Sequence, residues 1–374
     1  MPAHTFSSSH RILIRTLAGA ILGGGIMLGC HSGSEPITLG AAGPWQEAFG
    51  AMAQRGLNLG IDQINAAGGI NGRPLNVIEK DDSGQGATAA AIAGKFVQNP
   101  KILAVVGHVN SGAMVAAAKV YDGQLPAVAT SVTTPDLTGI SPWVFRVISS
   151  DSVNGVDLAH FAASLGEKRV SILYEDDSYG RGLAQSFQRS FAGTVISIDP
   201  IATDSQNFEP YVSYFKKRQP DMVFVASTDG AGIPFLRQAR RQKLDADFLG
   251  GDGWTGIVVD TLDSEGAYVG APFSAQDPRP EAQRFVKAFE AKYNGMVPDG
   301  NAALEYDALM LVKQAIESGA TTRKAIRDYL ASLTEQTAYH GVTGTIRFLP
   351  TGDPVGKGFV MTRVHQGALL VQGR

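Results

Sequence analysis

The residue whose type and position most directly suggest binding chemistry is Ser111. It follows an apolar run, Ile102 to Val106, and precedes an amphipathic helical pattern, so it is placed where a strand ends and a helix begins. A serine hydroxyl and the first free N–H groups of a helix can bind a carboxylate, because the positive end of the helix dipole lies at the same point. Ser111 can equally be a plain helix N-cap, and the residue alone leaves both interpretations open.

Motifs for catalysis or cofactor binding are misplaced or missing. Gly251 to Gly256 reads G-x-G-x-x-G, and Asp277 follows about 20 residues later, as in a dinucleotide site. We reject this motif because it lies late in the chain and Trp254 is bulky where a phosphate must approach closely. The sequence has no G-x-x-x-x-G-K-[ST], H-E-x-x-H or G-x-S-x-G motif, and its 7 histidines lack metal-ligand spacing. We predict no enzyme activity, no cofactor and no metal site.

The N-terminal segment has the pattern of an export signal. Residues 1–29 contain two arginines and no acidic residue, and the stretch 16–28 is uncharged, which is the layout of a secretory signal peptide. Its apolar run is shorter than the roughly 20 residues of a membrane-spanning helix. It ends in Met27-Leu28-Gly29-Cys30, which resembles the lipobox of bacterial lipoproteins. We predict a lipid anchor on Cys30 and a tether over 30–36, although a chance cysteine near an ordinary cleavage site is an alternative.

The composition bounds the class of the protein. The chain has 374 residues, a net charge of -3 and one cysteine, which excludes an internal disulfide framework and gives no basic surface for nucleic acid. Its length predicts about two domains. With 44% hydrophobic and 18% charged residues, the chain can bury a large core, so wholesale disorder is excluded.

From Ile37 onward, short apolar runs alternate with helical patterns, which is typical of βαβ units and parallel sheets. The pattern predicts strands at Ile37–Gly43, Leu75–Glu79, Ile102–Val106, Leu125–Thr130, Val170–Tyr174, Val195–Ile198, Met222–Ala226, Phe248–Gly250, Ala267–Pro272, Thr343–Phe348 and Gly358–Val364. The helices predicted between them include Ser111–Tyr121, Gly182–Phe191 and Ile233–Gln242. Further helices between Glu281 and Ser332 have too few strands for a sheet of their own. We therefore expect the chain to cross between lobes more than once.

Several motifs occur in an order that is specific as a set. They are Gly43-Pro44, the run from Ile64 to Leu75 (INAAGGINGRPL), Asp81-Asp82, Val106-Gly107-His108 with Ser111, Thr133 to Thr138 (TTPDLT), Phe145-Arg146, Tyr179 to Gly182 (YGRG), Leu236 to Arg240 (LRQAR) and Tyr306-Asp307-Ala308. In this the chain resembles the amino-acid-binding periplasmic proteins, the branched-chain amino-acid type of ABC transporter receptors. The resemblance spans essentially the whole chain after the leader.

The resemblance implies an α/β fold of the type I periplasmic-binding kind. Two doubly wound lobes would be joined by three crossovers and would close on a ligand in a central cleft. On this pattern the first lobe comprises 37–150 and 276–357, and the second comprises 151–275 and 358–374.

The resemblance also implies which residues hold the ligand. Ser111, the backbone at Ser131 and Thr133 would bind a ligand carboxylate, although Thr133 alone fits turn chemistry before a proline. Asp252 would pair with an ammonium group, since an unpaired buried charge costs several kcal/mol. It is one methylene shorter than the glutamate often found there. Tyr179 would line the cleft from the second lobe, although it also fits an aromatic residue in a surface turn.

Five further site residues follow from the same resemblance. Phe49 matches an aromatic wall for the ligand side chain, although its helix-face position also fits the core. Asp151 matches a polar position at a lobe crossover, although alone it is a good helix N-cap. Trp45 and Trp254 are expected beside the ligand, and Thr228 is expected to add a contact from the second lobe.

The resulting hypothesis is a monomeric, exported, lipid-anchored binding protein with no nucleic-acid partner. It would capture a small amino acid, branched-chain-like, or a related carboxylate, and deliver it to the permease and ATPase of an ABC importer. Three alternatives stay open at this level. The same fold could be a sensing module coupled to a signalling partner, the ligand could be an amide or another small carboxylate, or the protein could be an exported α/β enzyme. The last is disfavoured because no nucleophile–base pair is evident.

Overall fold

The computed structural model describes residues 35–203 and 205–372. The predicted signal peptide and Cys30 lie outside the described residues. In the described part, no helix is sufficiently long and apolar to span a membrane. The chain folds into two α/β lobes, each built on its own sheet.

Strands and helices alternate along most of the chain. The strands of the described residues are β1 (Ile37–Gly43), β2 (Leu75–Asp81), β3 (Ile102–Gly107), β4 (Ala127–Ala129), β5 (Val144–Arg146), β6 (Arg169–Glu175), β7 (Thr194–Ile201), β8 (Met222–Ala226), β9 (Asp247–Gly250), β10 (Tyr268–Ala271), β11 (Tyr339–Gly341), β12 (Gly344–Ile346), β13 (Val360–His365) and β14 (Ala368–Val371). The α-helices are α1 (Ala48–Ala66), α2 (Gly86–Gln98), α3 (Ser111–Tyr121), α4 (Asp151–Ser164), α5 (Ser178–Ser190), α6 (Glu209–Arg218), α7 (Asp229–Arg241), α8 (Pro280–Lys292), α9 (Gly300–Glu317) and α10 (Arg323–Ala331). Two 3₁₀ helices cover Pro135–Leu137 and Asp252–Val259.

The first-lobe sheet has the strand order β2-β1-β3-β4-β5, with all pairs parallel. β1 is buried along its whole length, as expected for a parallel strand covered on both faces. Because side chains alternate along a strand, Leu39 and Ala41 pack towards α1, α9 and α10, whereas Ala42 packs towards α2 and α3. The lobe thus has one core on each face of its sheet.

The second-lobe sheet has the order β14-β13-β10-β9-β8-β6-β7. The strands from β6 to β10 are parallel, and β13 and β14 join antiparallel at one edge. One core lies under α6 and α7, and the other lies under α4 and α5. The chain passes between the lobes after β5, after β10 and after β12, which gives the expected three crossovers. The lobe boundaries proposed from the sequence stay predictions.

The helices that return to the first lobe are fixed there by a close helix–helix contact. Gly56 of α1 lies against α9, where a Cβ atom on this glycine would stand 2.0 Å from the carbonyl oxygen of Ala302. Only a residue without a side chain permits this approach of the two backbones. α9 thereby brings its first turn to the side of the sheet where β3 and β4 end.

A pair of glycine substitutions tests this packing. Gly56→Ala is expected to lower the free energy of unfolding by about 1 to 3 kcal/mol, because the added methyl group overpacks the α1–α9 contact. Gly94, inside α2, has open space where a Cβ atom would stand, so Gly94→Ala should raise it by about 0.5 to 1 kcal/mol. Urea unfolding measures both. Equal effects of the two substitutions would contradict the close contact.

Candidate functional site

A cavity lies between the two lobes, next to the carboxyl ends of β3, β6, β8 and β9. Its walls are formed by Phe49, Val109, Asn110, Ser111, Ser131, Tyr179, Thr228, Asp252, Gly253 and Asn301. Six residues singled out from the sequence are brought together here: Phe49, Ser111, Ser131, Tyr179, Thr228 and Asp252. This is where ligands bind in open α/β sheets, since strand ends and helix N-termini meet at this edge.

The start of α3 supplies hydrogen-bond donors to the cavity. The N-cap is Asn110, whose side-chain oxygen accepts a hydrogen bond from the backbone nitrogen of Ala113 at 3.3 Å. The N-cap interpretation of Ser111 is therefore wrong; its hydroxyl lines the cavity and accepts a 3.4 Å bond from the backbone nitrogen of Thr134. Among the described residues, no acceptor bonds to the backbone N–H of Ser111 or Gly112. These N–H groups are free to bind an anion.

Asn301 is a cavity residue that the sequence analysis does not identify. It stands in the first turn of α9, whose N-cap, Asp299, accepts a 3.0 Å bond from the backbone nitrogen of Ala302. The Ser131 hydroxyl donates to the side-chain oxygen of Asn301 at 2.8 Å. Ser131 was expected to act through its backbone, so this side-chain bond adds a polar wall contributed by two elements of the first lobe.

Thr133 lies behind the cavity wall, with no exposed surface. The loop around it is held by Arg146, whose guanidinium donates to the carbonyl oxygens of Val132 and Thr134 at 3.2 and 2.9 Å. The Nε of Arg146 donates to the carboxylate of Asp353 at 2.7 Å. The buried arginine thus positions the loop, and Thr133 does not line the cavity.

The second lobe contributes a carboxylate, Asp252, at the start of a 3₁₀ helix. The Tyr179 hydroxyl donates to Asp252 at 3.0 Å and accepts a 3.0 Å bond from the backbone nitrogen of Gly253. Tyr179 belongs to the first turn of α5 and is buried, so its interpretation as a surface-turn residue is wrong. Burial raises the pKa of Asp252 to about 6. At neutral pH the carboxylate is ionised, and it attracts a cationic group.

A second carboxyl group, Asp151, stands behind Asp252. It is fully buried, and its Oδ2 has no hydrogen-bond partner among the described residues. Ser150 is the N-cap of α4, accepting from the backbone nitrogen of Ser152 at 3.3 Å, so the N-cap interpretation of Asp151 is wrong. Burial and then the charge of Asp252 raise the pKa of Asp151. We therefore expect Asp151 to keep its proton while Asp252, which meets the cavity, carries the charge.

The two tryptophans expected beside the ligand do not line the cavity. The Trp254 ring is fully buried in the second-lobe core against Gly250, and its indole nitrogen donates to the Ser227 hydroxyl at 3.0 Å. The Trp45 ring packs over Gly43 in the first-lobe core. Both predictions are wrong for the same reason. Each ring fills the space above a glycine at the end of a strand, Gly43 in β1 and Gly250 in β9.

Thr228 and Phe49 complete the cavity from opposite lobes. The backbone nitrogen and the hydroxyl of Thr228 donate to the carboxylate of Glu175 at 2.8 and 3.2 Å. Burial raises the pKa of Glu175 to about 7. Phe49, in the first turn of α1, is half-buried and packs partly against the first-lobe core, so the wall and core interpretations both describe it.

These features are those of a two-lobed solute-binding protein with a cavity between its lobes. Residues 36–368 match the family described as periplasmic binding protein, and the chain belongs to that family. Its resemblance to the branched-chain amino-acid type and its two-lobed α/β fold are confirmed. The family consists of substrate-binding proteins rather than enzymes, and it implies an extracytoplasmic location.

Similar proteins come from several bacteria. A Pseudomonas aeruginosa protein named leucine-, isoleucine-, valine-, threonine-, and alanine-binding protein is 29% identical over 352 residues, covering 90% of this chain and 91% of its own. A Desulfitobacterium hafniense ABC transporter substrate-binding protein, solved in complex with Leu, is 32% identical with a TM-score of 0.79, covering 90% of this chain and 100% of its own. A branched-chain amino acid transporter substrate-binding protein of Streptococcus pneumoniae, solved with isoleucine, is 28% identical with a TM-score of 0.82, covering 90% and 99%.

Asp252→Asn tests the electrostatics of the site in the ligand-free protein. Because folding raises the pKa of Asp252 to about 6, the folded state holds a proton that the unfolded state releases above about pH 4. The wild type therefore loses stability as pH rises from about 4 to 6, and the variant avoids this loss. We expect Asp252→Asn to be more stable by about 1 to 3 kcal/mol at pH 8 and equal at pH 3.5. Urea unfolding measures this.

The matched control is Asp263→Asn, on the segment that follows the same 3₁₀ helix. Asp263 is only half-buried and lies outside the cavity, so its substitution should not reproduce the stabilisation expected for Asp252→Asn at pH 8. If Asp252→Asn is less stable than the wild type at pH 8, burial does not oppose the ionisation of Asp252 in the free protein.

Proposed function

We propose that the protein captures a free amino acid in the cleft between its lobes. The observation that carries this proposal is the opposition of two kinds of charge-binding group across the cavity. The first lobe presents the Ser111 hydroxyl and the free N–H groups at the start of α3, which suit a carboxylate. The second lobe presents Asp252, which suits an ammonium group. An amino acid carries both groups on one carbon.

The relatives support the same ligand class. The Pseudomonas aeruginosa protein is named for the binding of five amino acids, including alanine and threonine. The Desulfitobacterium hafniense and Streptococcus pneumoniae proteins were solved with Leu and isoleucine. We infer an amino-acid ligand of this general class, rather than a carboxylate without an amino group, because the buried carboxylate of Asp252 gains more from a cationic group than from an uncharged donor.

Capture works through closure of the cleft. A ligand that contacts Ser111 from one lobe and Asp252 from the other binds the closed form more tightly than the open form, so it shifts the population towards closure. We propose that the permease and ATPase of an ABC importer recognise this closed form and accept the ligand. The names of the solved relatives as transporter substrate-binding proteins support this partner.

We also propose that the protein acts as a monomer held at a membrane by a lipid on Cys30. The support is the position of this single cysteine at the end of an apolar leader, together with the extracytoplasmic location of the family. A tether of a few residues would then keep the binding lobes close to the importer.

Calorimetric titration with a panel of amino acids tests the ligand class. At least one amino acid should bind the wild type, and its dissociation constant should stay level above about pH 7. Below pH 6 it should rise by up to about tenfold per pH unit, because protonated Asp252 no longer attracts the ammonium group. Asp252→Asn should bind weakly without this pH dependence, and Asp263→Asn should match the wild type.

The carboxylate end is tested by Ser111→Ala, which should weaken binding about ten- to hundredfold at every pH through loss of a hydrogen bond to a charged group. Thermal unfolding of the free variant checks its folding. If no amino acid gives heat while simple carboxylates bind, the amino-acid proposal is wrong.

The lipid anchor is tested by Cys30→Ser in a bacterial host fed a labelled fatty acid. The wild type should carry label and partition into detergent, whereas the variant should carry none and stay in the aqueous phase, because a thiol is the attachment point. Equal labelling of both proteins would contradict lipidation at this cysteine.

A further inference from the structure

A groove between the lobes lies beside the cavity, and the two spaces share Phe49 as a lining residue. The first lobe lines the groove with the start of α1 and the segment before α9. The second lobe lines it with α7 and the second 3₁₀ helix. Because opposite lobes form its walls, the walls approach when the cleft closes and separate when it opens.

Carboxyl groups of opposite lobes face each other across this groove. Asp229, the first residue of α7, belongs to the second lobe. Glu47, the N-cap of α1, and Asp299, the N-cap of α9, belong to the first lobe. The charges of Asp299 and Glu47 both act on Asp229, which is only 9% exposed. Like charges that meet in a poorly solvated place repel each other.

The cationic side chains of the groove do not neutralise Asp229. Arg237, on α7 itself, pairs with Asp260 at 2.6 Å. Arg55, across the groove on α1, donates to the sulfur of Met52 at 3.4 Å. The backbone N–H groups at the start of α7 offset part of the charge of Asp229. The remaining charge meets the two first-lobe carboxyl groups.

The energy of Asp229 differs between an open and a closed cleft. Burial, then the charge of Asp299 and more weakly that of Glu47, raise the pKa of Asp229 to about 6. A Cβ atom at Gly256 would lie 2.1 Å from Oδ2 of Asp229, so part of this burial comes from the second lobe and persists on opening. The first-lobe charges act only while the lobes are close. The closed form therefore loses stability relative to the open form as pH rises to about 6, and it stays disfavoured above that pH.

We propose that Asp229 opposes closure of the cleft, by charge repulsion with Asp299 and Glu47 of the facing lobe. This inference rests on the proposed function and adds a force that reopens the cleft. A ligand must supply the free energy that overcomes the repulsion. The repulsion thus keeps an empty cleft open and helps a captured amino acid to leave.

Calorimetric titration of full-length Asp229→Asn with the amino-acid panel at pH 7.5 tests this role. The amino acid that binds the wild type most tightly should bind the variant roughly three- to thirtyfold more tightly, because closure no longer brings a third carboxylate into the groove. The gain should shrink severalfold at pH 5, where Asp229 of the closed wild type is protonated. Asp263→Asn is the matched control in the same lobe and should bind as the wild type does.

Glu47→Gln tests the repulsion from the other lobe. Glu47 is exposed, and its side chain does not cap α1, so this variant keeps the test available if Asp229→Asn fails to fold. It should also bind the ligand more tightly at pH 7.5, by less than Asp229→Asn. In the double variant, Asp229→Asn should add less than it does alone, because the two charges are coupled. Thermal unfolding verifies that each variant is folded.

The outcomes separate this inference from the proposed function. Small-angle X-ray scattering of the ligand-free proteins at pH 7.5 should show Asp229→Asn to be more compact than the wild type. Unchanged affinity with unchanged compactness would overturn the role of Asp229. Weaker binding by Asp229→Asn would also overturn it, since Asp229 would then attract the ligand. Absence of binding by every amino acid to every variant would instead refute the proposed function, and this inference with it.

Discussion

The parallel arrangement of the strands makes helix N-termini converge on the cleft. α3, α5 and α7 each follow a parallel strand, and the residues at their starts include Ser111, Tyr179 and Thr228. The N–H groups at a helix start carry partial positive charge, so a ligand carboxylate can be bound without a cationic side chain. Among the described residues of the cavity wall there is no lysine or arginine. The direction of the backbone therefore supplies the positive charge that a carboxylate in this cleft would need, without a cationic side chain.

Asp252 gives the free and occupied forms different energies. In the free protein its ionisation is opposed by burial, as the raised pKa indicates, and Tyr179 donates a side-chain hydrogen bond to it. On the proposed function, a ligand cation would supply the missing countercharge, so the closed form would gain most when it is occupied. An empty closed form lacks that gain. Burial of Asp252 would thus favour the closed form with ligand over the closed form without ligand.

Elements with strong local patterns could be predicted from the sequence, whereas features that depend on packing could not. β1 and α3 have their predicted bounds. α5 begins one turn earlier than predicted. Gly180 in this first turn has a low helix propensity. Its role is one of packing, because a Cβ atom at this position would lie 2.2 Å from the Glu175 carbonyl oxygen. The residues of the site likewise depend on packing that the sequence does not reveal. Asn301 reaches the cavity only because α9 returns from a distant part of the chain, and Trp254 looks like a cleft aromatic until its core contacts are known.

Arg146 connects the loop beside the cleft with the segment between β12 and β13. One guanidinium holds the loop beside the cleft through Val132 and Thr134 and also binds Asp353, just before the third crossover. A substitution that reshaped this loop would also disturb the segment between β12 and β13, which leads from the first lobe to the second. On the proposed function, a change in ligand preference at this loop would therefore also affect the connection between the lobes.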